Sequence, residues 1–295
     1  FKCGLEIHVQ LNSKSKIFCS CQNQANLQEE NLIPNSLCCP TCLGLPGAKP
    51  TFNKKVLEIA LKVALALNCK INEETFFSRK TYFFPDLPSS YQITQYEKPL
   101  AFDGRFKDIK IKRLHMEEDP GKLIHEKNCV LIDYNRSGTP LIEIVTEPEF
   151  QSPQQVREFL QDLLTVLEYL TVYSRKSVAS LRVDANISTT GERVEIKNIG
   201  SIKDVEKALQ EEIKRQQHNP VKIQETRGWD PERQNSFLMR TKESEQEYGY
   251  IFDSNLTKIV ILREDIEKVK QSLPELADAK TQRLVKQYQL KTEDA

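Results

Sequence analysis

The sequence lacks several features that would assign a function at once. No apolar run approaches the ~20 residues that span a membrane, so a transmembrane helix is not predicted. The 42 basic and 42 acidic residues cancel, which argues against a general nucleic-acid binder of high positive charge. Neither a P-loop nor a kinase-type glycine loop is present, so any nucleotide site has to be built differently. No GxSxG, Ser/Lys or Cys/His pattern indicates nucleophilic catalysis.

Length and composition predict a soluble globular protein. Charged residues make up 28% and hydrophobic residues 39% of the 295 positions, which allows a sizeable core in roughly one to three domains. Strand-like runs alternate irregularly with helical patterns, and this predicts an α+β fold with an antiparallel or mixed sheet. The N-terminal FKCGLEIHVQL is too short and too polar for a signal peptide.

Hydrophobic periodicity predicts the main elements. A strand is expected over Leu5–Leu11, a helix over Asn53–Asn68 and a strand over Thr81–Phe84. Ser152-Pro153 is a strong helix start, because Ser caps a helix and Pro suits its first turn. Residues 264–295 are rich in lysine and glutamate and carry few strand signals, so they indicate the beginning of a helical module.

Four segments place acids among apolar neighbours in strand-like runs. Glu6 and His8 are two residues apart and share one face of a strand, while Glu143 and Asp184 each lie between apolar residues. Such acids are disfavoured unless something offsets their desolvation, so together they predict convergence on Mg²⁺ and a phosphate-bearing substrate. Taken singly, each acid is more simply explained as a solvated residue or a structural ion pair. The segments are GLEIH (Gly4–His8), RLHMEEDPGK (Arg113–Lys122), SGTPLIEIVTEPE (Ser137–Glu149) and LRVDANIS (Leu181–Ser188).

Five of the eight cysteines crowd into the segment from residue 19 to residue 42. Two closely spaced pairs can supply four thiolates to a structural Zn²⁺ with no open coordination position, although Cys38 competes with its neighbour as a ligand. The remaining three read as buried free thiols, a pattern that suits a reducing compartment. The predicted ligands are Cys19, Cys21, Cys39 and Cys42, and the predicted buried thiols are Cys3, Cys69 and Cys129.

Basic residues stand beside the acidic and aromatic segments. Lys80 lies in FFSRKTYFFPDLPSSYQITQ (Phe76–Gln95), where cations could hold phosphate against an aromatic wall, or where a hydrophobic strand pair simply has basic edges. Arg182 and Lys197 flank strand acids. The lysines of KDIKIK (Lys107–Lys112) form either a local basic patch or the solvent face of an edge strand.

These motifs together resemble the GatB family, the B subunits of glutamyl-tRNA(Gln)/aspartyl-tRNA(Asn) amidotransferase, which includes the related GatE. They follow the family order from near residue 4 to about residue 243, and no large inserted domain of the GatE kind interrupts them. The matching strings are GLEIHVQL, KIFCSC, CPTCLGLPGAKP, RKTYFFPDLPSSYQITQ, RLHMEEDPGK, DYNRSGTPLIEIVTEPE, LRVDANIS, EIKNIGS, QETRGWD and LMRTKE.

The resemblance implies a domain organisation. Residues 1–253 would form a catalytic cradle that carries the zinc-binding loop 19–42. Residues 254–295 would begin the family's helical domain, with the C-terminal tail domain absent. Two stretches depart from the family pattern: Ser89-Ser90 replaces a Lys-Gly-like pair, and EYGYIFDSN replaces a DYRYFPEPD-like stretch.

The resemblance also implies a reaction and partners. The family uses ATP and Mg²⁺ to phosphorylate the side-chain carboxylate of misacylated Glu-tRNA(Gln) or Asp-tRNA(Asn). Ammonia from the amidase subunit GatA then gives Gln-tRNA or Asn-tRNA, and GatC is a further subunit. The expected location is the cytoplasm, or an organellar matrix after removal of a transit peptide. A different class of hypothesis is a non-catalytic, zinc-stabilised RNA-binding or assembly module.

Site residues follow from matching the family motifs. Phosphate or carboxylate contacts are expected from Lys80, Arg182 and Lys197, and catalytic roles from these three together with Glu118 and Glu143. Second choices for the metal are Glu117 and Glu147. The expected Mg²⁺ ligands are Glu6, His8, Glu118, Glu143 and Asp184.

Overall fold

Strands and helices are interspersed along the chain, as the sequence predicts. The computed structural model describes residues 1–27, 32–173, 181–242 and 248–291. The helices within them are α1 (Lys54–Ala66), α2 (Pro153–Tyr169), α3 (Ile202–His218), α4 (Arg263–Gln271) and α5 (Ala277–Tyr288). The strands are β1 (Lys2–Gln10), β2 (Lys70–Ile71), β3 (Glu74–Thr75), β4 (Ser78–Thr81), β5 (Tyr91–Thr94), β6 (Ala101–Phe106), β7 (Ile109–Glu118), β8 (Lys122–His125), β9 (Val130–Asp133), β10 (Pro140–Thr146), β11 (Leu181–Ser188), β12 (Val194–Ile199), β13 (Gln224–Asp230), β14 (Asn235–Lys242), β15 (Gly249–Phe252) and β16 (Ile259–Val260).

A nine-stranded sheet organises the fold. Its strand order is β14-β13-β12-β11-β1-β10-β7-β6-β2, so β1 lies at the centre. The pair β12–β13 is parallel and the other pairs of this sheet are antiparallel. The predicted α+β class with a mixed sheet is therefore confirmed. Smaller sheets have the orders β15-β4-β5, β16-β3 and β8-β9.

Alternation along the central strands separates an apolar face of the sheet from a polar face. In β1, Leu5, Ile7 and Val9 are buried, whereas Glu6 and His8 between them remain partly exposed. The buried residues belong to one continuous core with the apolar stripes of α1, α2 and α3. Because side chains alternate in a strand, this packing turns the acids and histidines of the neighbouring strands to the opposite face.

Two helix starts have the side-chain caps that their sequences predict. Asn53 precedes α1, and its side-chain oxygen accepts a hydrogen bond from the amide of Lys55. Ser152 precedes α2, and its hydroxyl accepts from the amide of Gln155 at 3.1 Å. Each cap satisfies a backbone donor that the first helical turn leaves unpaired. Both predicted helices are confirmed to within two residues at these ends.

Three expectations are wrong in the structure. The strand predicted over Thr81–Phe84 ends at Thr81, and Phe83 is 83% exposed; the proline after Phe84 restricts that residue and interrupts the run. Cys129 is exposed in the β8–β9 connection and is not a buried thiol. The lysines of Lys107–Lys112 are not on an edge strand, because β7 lies between β10 and β6.

The C-terminal elements pack on the rest of the chain. Helix α4 contacts α1, and α5 contacts α2. Leu256, Ile261 and Val269 belong to the same buried core as the central sheet. The domain boundary between residues 253 and 254 stays a prediction. Among the described helices, none has the length and apolar character needed to cross a membrane.

Candidate functional site

Strand register brings distant motifs side by side on the polar face. His8 of β1 is paired with Glu143 of β10 on one side and with Arg182 of β11 on the other. Glu143 is in turn paired with His115 of β7. Four strands thus contribute one row of charged or titratable side chains, drawn from four of the sequence segments noted above.

The first group of possible metal ligands, the histidine cluster, consists of His8, Glu117 and Glu143. One ligand atom from each lies within 4.8 Å of the others. The Nε2 atom of His8 is 3.5 Å from Glu143 Oε2 and 3.6 Å from Glu117 Oε1. His115 closes the arrangement, with its Nε2 atom 3.1 Å from Glu143 Oε2 and 3.7 Å from Glu117 Oε2.

The two imidazoles and two carboxylates shift each other's pKa. Burial disfavours the imidazolium of His8, but hydrogen bonding and attraction to Glu143 outweigh it and raise the pKa to about 9. The same balance raises the pKa of His115 to about 9. The pKa of Glu143 falls well below 4.5, because attraction to His115 and its hydrogen bond outweigh burial. Without a metal, the two acids are therefore held by protonated histidines.

A second group of possible metal ligands, the acidic cluster, includes Glu6, which lies two residues before His8 in β1. Glu6 is paired with Asp184 of β11, and Glu195 joins them from β12, again with ligand atoms within 4.8 Å. Lys197 Nζ lies 3.0 Å from Asp184 Oδ2 and 2.6 Å from Glu195 Oε1. Burial, reinforced by Glu143, raises the pKa of Glu6. Three acids with one ammonium leave a net negative site that attracts cations.

Both clusters open into one cavity of about 210 Å³ between the large sheet and the small β15-β4-β5 sheet. On the small-sheet side, Lys80 Nζ stands 4.7 Å from the ring centroid of Tyr248. The rings of Tyr96 and Tyr250 stack at 3.8 Å with an interplanar angle of 10°. The cavity thus has acids on its floor and cations and aromatic rings on its walls. It is lined by Glu6, Lys80, Thr94, Gln95, Tyr96, Arg113, His115, Glu117, Glu143, Glu195, Lys197, Arg240, Tyr248 and Tyr250.

The structure brings six of the residues predicted from the sequence as first choices to the two clusters and their shared cavity, and places others elsewhere. His8 and Glu143 are in the histidine cluster, Glu6 and Asp184 are in the acidic cluster, and Lys80 and Lys197 line the shared cavity. Arg182 binds Asp119 instead, with its Nη2 atom 2.7 Å from Oδ1. Glu147 borders a different cavity, about 380 Å³ in volume, beside Gly4 and Lys112.

Glu118 lies apart from both clusters. It is adjacent to Glu117 in β7, so its side chain points to the other face of the strand. Its Oε1 atom accepts a hydrogen bond from the amide of Ile93 at 2.9 Å. It borders a separate cavity of about 230 Å³ together with Cys19 and Cys42. Burial, with contributions from Asp253 and Glu117, raises its pKa to about 8.

Sequence reasoning missed His115, Glu195 and Asp119 as site residues. The signal for His115 was present, since Arg113, His115 and Glu117 alternate along one strand, which also favours Glu117 over Glu118 at this face. Glu195 likewise stands between Val194 and Ile196, the pattern by which the other acids were chosen. No sequence pattern pointed to Asp119, because its partner Arg182 is 63 residues away.

The four predicted cysteines converge. The sulfurs of Cys19, Cys21, Cys39 and Cys42 all lie within 4.8 Å of one another. Cys42 Sγ is 3.8 Å from Cys39 Sγ and 4.0 Å from Cys21 Sγ, close to the ~3.8 Å between sulfurs of a tetrahedron with ~2.3 Å zinc–sulfur bonds. Cys38 is outside this group, and its sulfur contacts Asn135 Oδ1 at 3.8 Å. The donor set and its spacing therefore fit Zn²⁺.

A buried lysine accompanies the cysteines. Lys16 is fully buried, and its Nζ atom donates to the backbone carbonyl of Tyr134 at 3.3 Å. Gly138 lies between Lys16 and Cys42. A Cβ atom at this glycine would be 3.4 Å from Lys16 Cδ and 3.8 Å from Cys42 Cβ, so the two side chains pass close to each other there. The hydrogen bond from Cys19 and the charge of Lys16 hold the pKa of Cys42 below its ordinary value despite burial.

Comparisons with known proteins identify the family of this chain. The family model described as the GatB/GatE catalytic domain matches residues 1–267. The chain is 45% identical over 317 residues to the B subunit of the aspartyl/glutamyl-tRNA(Asn/Gln) amidotransferase of Carboxydothermus hydrogenoformans, covering 99% of this chain and 65% of that protein. For the equivalent proteins of Methanospirillum hungatei and Methanosarcina acetivorans, which carry the same name, identity is 47% over 310 residues and 48% over 305 residues. Those alignments cover 99% and 97% of this chain and 64% and 60% of the relatives.

The match extends over most of the fold described above, including both clusters and the four cysteines. The chain spans 60 to 65% of the length of these three relatives. On the extent of the family match and the identity to these relatives, the chain belongs to the GatB/GatE family.

Proposed function

We propose that this chain is the catalytic part of the B subunit in a tRNA-dependent amidotransferase. It phosphorylates the side-chain carboxylate of misacylated Glu-tRNA(Gln), Asp-tRNA(Asn) or both, using ATP. Ammonia then displaces phosphate and leaves the amide, so that Gln-tRNA or Asn-tRNA is formed. The observation that carries this proposal is the pair of carboxylate clusters, which share β1 and open into one cavity with lysine and arginine on its walls.

The carboxylate oxygens of both clusters fit Mg²⁺. Carboxylate oxygens are the ligands this ion prefers, and it commonly takes one or two of them together with substrate phosphates. His8, Glu117 and Glu143 would hold one ion, and Glu6, Asp184 and Glu195 could hold another. When bound, Mg²⁺ neutralises phosphate charge and favours attack by a carboxylate oxygen.

The chain's own residues contribute positioning and charge. Lys80 and Lys197 supply positive charge at the cavity wall, where phosphate or carboxylate oxygens would otherwise be repelled by the acids. His115 contacts both Glu117 and Glu143 and orients them. An acyl phosphate is a far better acyl donor than a carboxylate, and enclosure between two sheets limits its loss to water.

The cysteine cluster has a structural role in this proposal. A Zn²⁺ held by Cys19, Cys21, Cys39 and Cys42 has no open position and would fix the 19–42 loop against the sheet. The catalytic cradle would comprise residues 1–253, and residues 254–295 would begin the helical domain. The partners would be the amidase subunit GatA, the subunit GatC and the misacylated tRNA. The expected compartment is the cytoplasm or an organellar matrix.

The test is ATP hydrolysis by the protein assembled with its amidase partner, measured with and without misacylated Glu-tRNA(Gln). We expect Mg²⁺-dependent turnover that this tRNA stimulates and that Glu143→Ala reduces by about 100-fold or more, since two histidines and a metal lose their shared partner. The matched control is Glu126→Ala, which removes an exposed acid at the end of β8.

Two outcomes would count against the proposal. Turnover that is the same in Glu143→Ala and in the wild type would favour a non-catalytic RNA-binding or assembly module. In that case the cysteines and basic residues would be needed while the acids would be dispensable. An assembled wild-type complex that shows no tRNA-stimulated turnover with either Glu-tRNA(Gln) or Asp-tRNA(Asn) would also contradict it.

A further inference from the structure

Strand β7 presents a cation on the same face as the residues that surround the histidine cluster. Arg113, His115 and Glu117 alternate along it, and all three line the shared cavity. Arg113 is paired with Val145 of β10, which is paired with Glu6 of β1. Arg113 therefore lies in the same row of cross-strand partners as Glu6 of the acidic cluster, two strands and about 10 Å away from it.

The guanidinium of Arg113 is available to a ligand. Its Nε atom is buried and has no hydrogen-bond partner within the part of the chain that the structure describes. Across those same residues, no carboxylate forms an ion pair with it, whereas Arg182 is bound to Asp119 and Lys197 to two acids. A buried N–H donor without a partner is costly, and such groups in native structures generally meet a ligand, an ion or water.

The chemistry of the site narrows the ligand to an oxyanion. A guanidinium matches two oxygens of a phosphate or carboxylate at once, which an ammonium does not. The acids of both clusters repel an oxyanion, so one would approach them only if they held a cation that binds its oxygens. Arg113, two strands from Glu6 in the same row of cross-strand partners, could bind other oxygens of the same oxyanion.

We propose that Arg113 binds the phosphate chain of the ATP used by this site and holds it in line with the two carboxylate clusters. This inference rests on the proposed function and adds a substrate-binding residue to it. A phosphate chain could offer oxygens both to a cation held by the clusters and to Arg113 two strands away, whereas a single side-chain carboxylate is too short for both. Arg113 is thereby distinct from Lys80 on the opposite wall of the cavity.

The test uses the assembled complex with its amidase partner and measures kcat and KM for ATP and for misacylated tRNA separately. In Arg113→Met we expect kcat/KM for ATP to fall about 10- to 100-fold, the effect of a lost charged hydrogen bond, with the KM for tRNA unchanged. Arg113→Lys keeps the charge but loses the paired contact, and its loss should be smaller. Lys110→Met, which removes an exposed lysine of β7 that does not line the shared cavity, should match the wild type.

A structural role of Arg113 is separated from ligand binding by chemical rescue. Added guanidinium should restore part of the ATP kinetics of Arg113→Ala without altering its melting temperature. If Arg113→Met and Arg113→Ala do not fold, the test is the KM for ATP of Arg113→Lys, which we expect to be higher than that of the wild type. Wild-type kinetics in Arg113→Met, or a change confined to the KM for tRNA, would overturn the inference while leaving the proposed function intact. A wild-type complex without ATP turnover would contradict both the inference and the proposed function.

Discussion

The imidazole of His115 lies 3.1 Å from the carboxylate of Glu143, and the two residues are direct partners across β7 and β10. Both residues are buried, so their contact with bulk water is limited to the cavity that they line. Glu143 also faces His8, and Glu117 is within reach of both imidazoles. The two histidines therefore keep the carboxylates of Glu117 and Glu143 ionised. Any metal cation that binds these carboxylates competes with the protons on the histidines.

Replacing His115 should make the stability of the protein more dependent on bound Mg²⁺. In His115→Asn, the two acids lose one cationic partner, and the metal-free protein should lose about 1–3 kcal/mol of unfolding free energy. Added Mg²⁺ should then raise the melting temperature of the variant more than that of the wild type. Thermal unfolding with and without Mg²⁺ measures this. His125→Asn, an exposed site, is the control, and equal Mg²⁺ shifts in all three proteins would contradict the prediction.

The four-cysteine cluster should hold one zinc ion per chain. Cys42→Ser is expected to abolish stoichiometric zinc in elemental analysis and to lower the unfolding free energy by about 2 kcal/mol or more, because a structural metal stabilises the fold. Cys38→Ser and Cys129→Ser remove cysteines outside the cluster and should retain both zinc and stability. Zinc retained in Cys42→Ser but lost in Cys38→Ser would assign the ligands differently.

Lys16 should strengthen zinc binding through its charge. Four thiolates and one Zn²⁺ carry a net charge of −2, and a fully buried ammonium beside them offsets part of it. In Lys16→Met we expect zinc affinity to fall about 10-fold or more and zinc release to a competing chelator to accelerate. Lys14→Met changes an exposed lysine two residues away and serves as control. Unchanged affinity in Lys16→Met would restrict this lysine to a packing role.

Glu118 should make stability fall as pH rises. Its pKa is about 8 in the folded protein against an ordinary value of 4.5, because burial disfavours its ionised form. A raised folded-state pKa contributes stability that is complete below pH 4.5 and is lost as pH rises through about 8. Glu118→Gln cannot ionise, so its denaturant midpoints should vary less over this range. Parallel pH profiles for the two proteins would show that Glu118 titrates normally.

Much of the fold could be predicted because local patterns agree with the global packing. The alternation of Leu5, Glu6, Ile7 and His8 already defines a strand with one apolar and one polar face. The caps at Asn53 and Ser152 likewise act within a few residues of the chain. The aromatic run at Phe83 failed as a strand because a neighbouring proline and the absence of partners among the described strands outweighed residue preference.

The site could be predicted only in part, because its geometry depends on strand pairing. Sequence placed Glu143 and His8 in one site, and the sheet indeed makes them neighbours. It did not show that Asp184 and Glu6 would form a separate group, since that division follows from the register of β11 and β12. It also could not show that Arg182 would be bound by Asp119.

Glu6 and His8 are alternate residues of one strand, yet each belongs to a different cluster. The distance between their Cα atoms is therefore set by the extended backbone, about 6.7 Å for two residues, and not by flexible side chains. A residue inserted or deleted between them would turn one cluster to the apolar face, so both clusters depend on this spacing.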